Sequence, residues 1–96
     1  MNTIKKNSGS GIVCQGSSNI LIHENAISAN SGNGIDLSDT QYFEIYENLI
    51  TKNYWGIENG GGNLDGAIYS NTLKKNKFPI SPVWDTTIKI YDNIYK

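Results

Sequence analysis

The sequence predicts an all-β fold: a single-stranded parallel β-helix of about four turns, 22–23 residues each, with three short strands per turn. Three observations predict it. Isoleucine or leucine returns along fixed columns: Ile4, Ile27, Ile50, Leu73; Ile12, Ile35, Ile57, Ile80; and Ile22, Ile45, Ile68, Ile90. Asparagine keeps the same step, at Asn25, Asn48, Asn71, Asn93 and at Asn7, Asn30, Asn53, Asn76. Within each stretch the apolar residues alternate, as Ile20 and Ile22, Phe43 and Ile45, Ile88 and Ile90 do. A fixed period of this length marks a stacked solenoid, and period two with β-branched residues marks strands.

The units follow in order. They run 2–24, 25–47, 48–70 and 71–92, and Asn93-Ile94-Tyr95-Lys96 begins a fifth. Each reads Asn-x-Ile-x-x-Asn, a short link, Gly-Ile-x-(apolar), a polar link, then (apolar)-x-Ile-x-x. Links this short leave no room for helical crossovers, so successive turns stack strand on strand about 4.8 Å apart. Asparagine suits the corners because it tolerates left-handed backbone and its amide bonds neighbouring backbone. Stacked turn on turn, these amides are expected to bond each other in a ladder. Gly11, Gly34 and Gly56 form another turn column. Cys14 shares an apolar column with Leu37 and is expected to be a buried thiol.

Two units depart from the pattern. The third replaces Ser31-Gly32-Asn33 with the shorter Tyr54-Trp55, then carries Gly60-Gly61-Gly62-Asn63-Leu64-Asp65-Gly66. The fourth has Pro79 in the glycine column and Pro82 at an expected inward position, where a ladder donor is lost.

Composition narrows function. Of 96 residues, eight are basic and nine acidic, for a net charge of −1. That balance implies no bulk attraction to nucleic acid or anionic membrane. All the basic residues are lysine, so the bidentate partner of phosphate, carboxylate or guanine is missing. No stretch approaches the ~20 apolar residues of a membrane span, which excludes membrane insertion as the expectation. The first residues read as mid-repeat rather than as a signal peptide. The chain, 1–96, is thus expected to be one β-helix domain, a fragment of a longer solenoid. Without polar end caps it is expected to self-associate through its terminal turns.

The run Asn25-Ala26-Ile27-Ser28-Ala29-Asn30…Gly34-Ile35-Asp36-Leu37…Ile45-Tyr46-Glu47-Asn48-Leu49-Ile50 resembles the right-handed parallel β-helix proteins of the pectin lyase-like superfamily. It is especially similar to the carbohydrate-binding and sugar-hydrolase repeats of mannuronan epimerase-like proteins, the nitrous-oxide-reductase accessory family and many surface proteins. The resemblance covers essentially the whole chain. It implies a right-handed coil, an extracellular or cell-surface setting and a polysaccharide partner.

Chemistry should sit on outward strand positions. One outward column is Val13, Asp36, Glu58, Ser81, which sets Asp36 and Glu58 on adjacent turns. Neighbouring carboxylates share a proton or recruit a cation. With Asp39 in the next link they could ligate Ca²⁺, the one cofactor considered; as acid and base they could serve glycosidic chemistry. A solvated acidic pair without a role is the plainer reading. A second outward column is His23, Tyr46, Tyr69, Tyr91, flanked by Leu21, Glu44, Ala67 and Lys89. Its rings could lie against sugar faces or be covered by another chain; packing across the sheet surface explains them as well. Trp55, close to Glu58 and the glycine run, marks a candidate sugar cleft. Trp84-Asp85 sits in the equivalent link one turn on. Lys5, Lys6, Lys52, Lys74, Lys75 and Lys77 gather on the remaining strand and its turn, as a solubilising face or an attraction for acidic polysaccharide.

The motifs of active relatives are largely missing. No arginine base, Asn-Thr-Asp, Asp-Asp or Gly-His-Gly occurs, and of the epimerase-type Asp-Pro-His only Asp36 is matched. His23 has only Cys14 as a soft companion, which gives no copper set. The leading expectation is therefore a polysaccharide-binding module without catalysis of its own. The alternatives are a lyase, epimerase or glycoside hydrolase fragment using Asp36 and Glu58, and a purely structural stalk.

Overall fold

A computed structural model describes residues 1–83 and 85–96. The first turn contains β1 (Thr3–Lys5), β2 (Ile12–Gln15) and β3 (Ser18–His23). The second contains β4 (Ala26–Ser28), β5 (Ile35–Ser38) and β6 (Gln41–Tyr46). The third contains β7 (Leu49–Thr51), β8 (Trp55–Asn59) and β9 (Leu64–Tyr69). The fourth contains β10 (Thr72–Lys74), β11 (Phe78–Ile80) and β12 (Lys89–Tyr91), and β13 (Ile94–Tyr95) begins a fifth. Each strand pairs only with its equivalents one turn away, always in parallel. Three sheets result: β1-β4-β7-β10-β13, β2-β5-β8-β11 and β3-β6-β9-β12. This is the β-solenoid that the sequence predicts.

The apolar columns pair in register: Ile4 with Ile27 and Ile50 with Leu73, Ile35 with Ile57, Ile45 with Ile68. Their side chains point inward and are almost wholly buried in the middle turns. The core is a narrow column of like on like. One inward position alternates in size instead. Phe43 fills its turn, and its partner in the next is Gly66, where a Cβ would lie 2.1 Å from the Phe43 ring. A large residue and an absent side chain share one volume, as close packing requires.

Asparagine holds the corners by two ladders. In the first, Asn25, Asn48 and Asn71 accept the backbone N–H and the Nδ2 of the asparagine one turn earlier, at 2.9–3.4 Å. In the second, Asn7, Asn30 and Asn53 donate to Asn30, Asn53 and Asn76 in the same way. Several Nδ2 groups also donate to backbone carbonyls, such as Asn48 to Ile22 and Asn71 to Ile45. Such bonds satisfy backbone groups that a corner leaves without ladder partners.

The backbone reason for asparagine differs from the expected one. The left-handed positions are the residues just before it: Glu24, Glu47, Ser70 and Asp92, and Lys6, Ala29, Lys52 and Lys75, with φ between 55° and 59° except for 54° at Asp92. The ladder asparagines keep ordinary angles and contribute their amides. The glycine column also has a different cause from turn geometry. A Cβ on Gly34 would sit 2.6 Å from the Gly56 carbonyl oxygen, and one on Gly56 2.5 Å from that of Pro79. Close stacking of turns, not left-handed backbone, demands glycine there.

The fourth turn departs at Ser81 and Pro82. The sequence places Ser81 outward and Pro82 inward; the structure reverses them, with Ser81 buried and Pro82 exposed. The strand has ended at Ile80, and Pro82 has no N–H to give a ladder. Ser81 Oγ accepts the Asn59 N–H at 2.6 Å in its place. Trp84, expected to mirror Trp55 one turn on, lies outside the described residues.

Candidate functional site

With the core and corners assigned, the outer faces of the second and third sheets carry the remaining chemistry. On the second sheet, β5 and β8 bring Asp36 and Glu58 into direct register. Both are half-buried. Asn33 lies between them: its Nδ2 donates to Asp36 Oδ2 at 3.4 Å and to Glu58 Oε1 at 3.2 Å. Its Oδ1 accepts the Trp55 N–H at 3.1 Å. One amide therefore ties both carboxylates to the tryptophan backbone. The residues form one patch because Asn33 and Trp55 stand on adjacent turns three positions before Asp36 and Glu58, and the Asn33 side chain reaches both acids. Trp55 packs on Phe78 with ring centres 4.5 Å apart, and Tyr54 meets Phe78 edge-on.

Asp39 does not join this patch. It occupies the left-handed corner after β5 (φ 47°), with its carboxylate against Gly62. Among the described residues, no three of His, Cys, Asp and Glu gather as a cation would need. The glycine run is separate as well. Gly60, Gly61 and Gly62 line a cavity of about 280 Å³ with Asn59, Asn63, Leu64, Pro82, Val83, Asp85 and Ile88. Trp55 and the run lie at opposite ends of β8, so they do not form the single cleft suggested by their nearness in sequence.

On the third sheet the rings of His23, Tyr46, Tyr69 and Tyr91 stack in one file. Their centres are 5.0, 5.2 and 5.1 Å apart, and successive planes differ by 9°, 6° and 4°. This geometry changes what the column can do. A ring stacked on both sides has no free face, so Tyr46 and Tyr69 offer only their edges to a ligand. The sugar-face platform expected of this column is confined to its two terminal rings. Tyr69 Oη donates to Glu44 Oε1 at 2.8 Å. That bond, some desolvation and the negative charge of Glu44 push the Tyr69 hydroxyl up to about 12. Beside the file, Leu21, Tyr42, Phe43, Glu44, Asp65 and Ala67 border a shallow groove of about 560 Å³. His23 Nδ1 lies 3.1 Å from Glu24 Oε1.

Sequence reasoning missed Asn33 and the Tyr69–Glu44 pair. The period held both signals. Asn33 lies in the column of Ser10 and Trp55, three residues before the acids, and Glu44 is one turn plus two residues from Tyr69.

Fold and surface together define a parallel β-solenoid whose inward columns and amide ladders are structural. The chain belongs to the family described as periplasmic copper-binding protein (NosD), whose model matches residues 1–95. No curated protein and no solved structure matched it. The family's periplasmic description agrees, at a coarse level, with the extracellular or surface setting implied by the resemblance. Its description names copper, which does not match the expectation of no cofactor or of calcium.

Proposed function

We propose that this chain is a β-helix module of a periplasmic or surface protein that binds polysaccharide on its second sheet, without catalysis of its own. The patch of Asn33, Asp36, Glu58 and Trp55 supports this reading. It offers carboxylate acceptors and an amide beside an indole, the mixture that recognises sugar hydroxyls and apolar sugar faces. The amide that bridges the carboxylates fixes their positions before a ligand arrives, which lowers the cost of ordering on binding.

Copper does not fit the described residues. The soft donors are His23, Cys14 and Met1. Cys14 points into the core on the second sheet, paired with Leu37, and burial pushes its thiol up. His23 is stacked on Tyr46 on the third sheet. His23 and Cys14 thus stand on different sheets, one outward and one inward, and do not share a metal site.

The test is a glycan array with the intact chain, followed by titration of any hit against Trp55→Ala and Asn33→Ala. Binding that weakens at least tenfold in both variants supports the reading. No binding by the intact chain overturns it and leaves the structural stalk. Turnover of an acidic polysaccharide that is lost in Asp36→Ala or Glu58→Ala replaces it with the enzyme reading.

A further inference from the structure

We propose that the corner between the first and second sheets is a docking edge for an anionic bilayer surface. Seven of the chain's eight basic residues sit there: Lys5, Lys6, Lys52, Lys74, Lys75 and Lys77, with Lys96 one turn beyond Lys74. All seven are exposed. The fold puts them there by register. Lys5 and Lys74 end first-sheet strands in one column, through Ser28 and Thr51. Lys6, Lys52 and Lys75 each hold the left-handed position that follows, with φ of 58° to 59°. No acid occupies either column. The acids nearest the first sheet, Glu24, Glu47 and Asp92, hold the corner at the opposite end of its strands.

Net charge conceals this separation. The molecule measures 30 × 26 × 24 Å, and charges more than about 8 Å apart are largely screened at physiological ionic strength. A surface touching the lysine corner therefore meets local positive charge, although the whole chain carries −1.

The kind of partner follows from what lies among the lysines. Tyr54 is 46% exposed and Phe78 37% exposed at the same corner. Lys77 Nζ stands 5.1 Å from the centre of the Tyr54 ring and 5.8 Å from that of Phe78. Aromatic rings interleaved with lysine suit the headgroup layer, where rings rest at the apolar boundary and ammonium groups meet phosphate. A soluble polyanion would use the charge and leave the rings idle. No helix of the described residues is long and apolar enough to cross a membrane, so the contact is adsorption. The edge adjoins the glycan patch through the contact of Phe78 with Trp55, but its lysines are not residues of that patch, so the lysine variants test it independently of the glycan reading.

The test is co-sedimentation with vesicles of phosphatidylcholine, with and without phosphatidylglycerol. Binding is expected only with phosphatidylglycerol and should fall as salt rises. Each of Lys52→Gln, Lys75→Gln and Lys77→Gln should weaken it about fivefold, and the triple variant about a hundredfold. Tyr54→Ser should reduce the binding that survives high salt, with the melting temperature checked for each variant. Equal binding to neutral vesicles, or an unaffected triple variant, overturns the proposal. So does displacement by soluble polygalacturonate together with indifference to Tyr54→Ser, which would make the edge a polyanion site.

Discussion

Replacing Asn71 with alanine should cost far more than its small change in apolar area suggests. Asn71 is fully buried. Its Oδ1 accepts Asn48 N–H at 3.0 Å and Asn48 Nδ2 at 2.9 Å, and its Nδ2 donates to Ile45 O and Asn93 Oδ1, both at 3.0 Å. Truncation removes all four bonds. Asn48 Nδ2 keeps its bond to Ile22 O, but the Asn48 N–H loses its acceptor at a buried corner. A typical net hydrogen bond contributes about 1 kcal/mol, and a buried group left unpaired costs about 1–3 kcal/mol. The expected loss is about 4 kcal/mol, or roughly 16–32 °C in melting temperature for a domain of this size. Asn2→Ala is the control, because its bonds to Asn25 are exposed; it should cost less than about 1 kcal/mol. Urea unfolding followed by far-ultraviolet circular dichroism gives both values. Equal losses for the two variants would refute the reasoning, because the interior ladder would then contribute no more than a solvated one.

Gly66→Ala should destabilise by about 1–3 kcal/mol, since its Cβ would meet the Phe43 ring; Phe43→Leu in the same chain should recover part of that in a thermal melt. Tyr69 should ionise near pH 12, and Glu44→Gln should bring it back towards 10, read by phenolate absorbance. Because its folded value lies above the unfolded one, the contribution to stability is complete below about pH 10 and lost as pH rises towards 12. Cys14 should react with a thiol reagent slowly in the folded chain and quickly in denaturant, because burial both shields it and disfavours its thiolate; equal rates would contradict its inward placement.

The columns were legible because a solenoid repeats its physics every turn. Ile45 above Ile68, Asp36 beside Glu58 and Tyr46 beside Tyr69 all follow from one step length. Orientation and contact within a column were not legible in the same way. A period says that rings are neighbours, not that they lie parallel, and only the parallel stack closes their faces. The reversal at Ser81 and Pro82 depends on where a strand ends, which the missing proline N–H decides locally. The distance between Trp55 and the glycine run depends on β8 being extended, so five residues carry the chain away from its start. Asn33 was hidden for another reason. The shortened link that faces it one turn on, Tyr54-Trp55, makes its column harder to count, and asparagine elsewhere in this chain is structural.

The two amide ladders also give the coil a direction. Every rung runs the same way, with the donor on the earlier turn and the acceptor oxygen on the later one. Amide dipoles of about 3.5 D each add when aligned, and side-chain amides oriented by a protein's own structure do the same. The ladders thus give the coil an axial polarity, positive towards its later turns and negative towards its earlier ones. That polarity is set by hydrogen bonding rather than by ionisation, so it persists at the pH where the net charge vanishes.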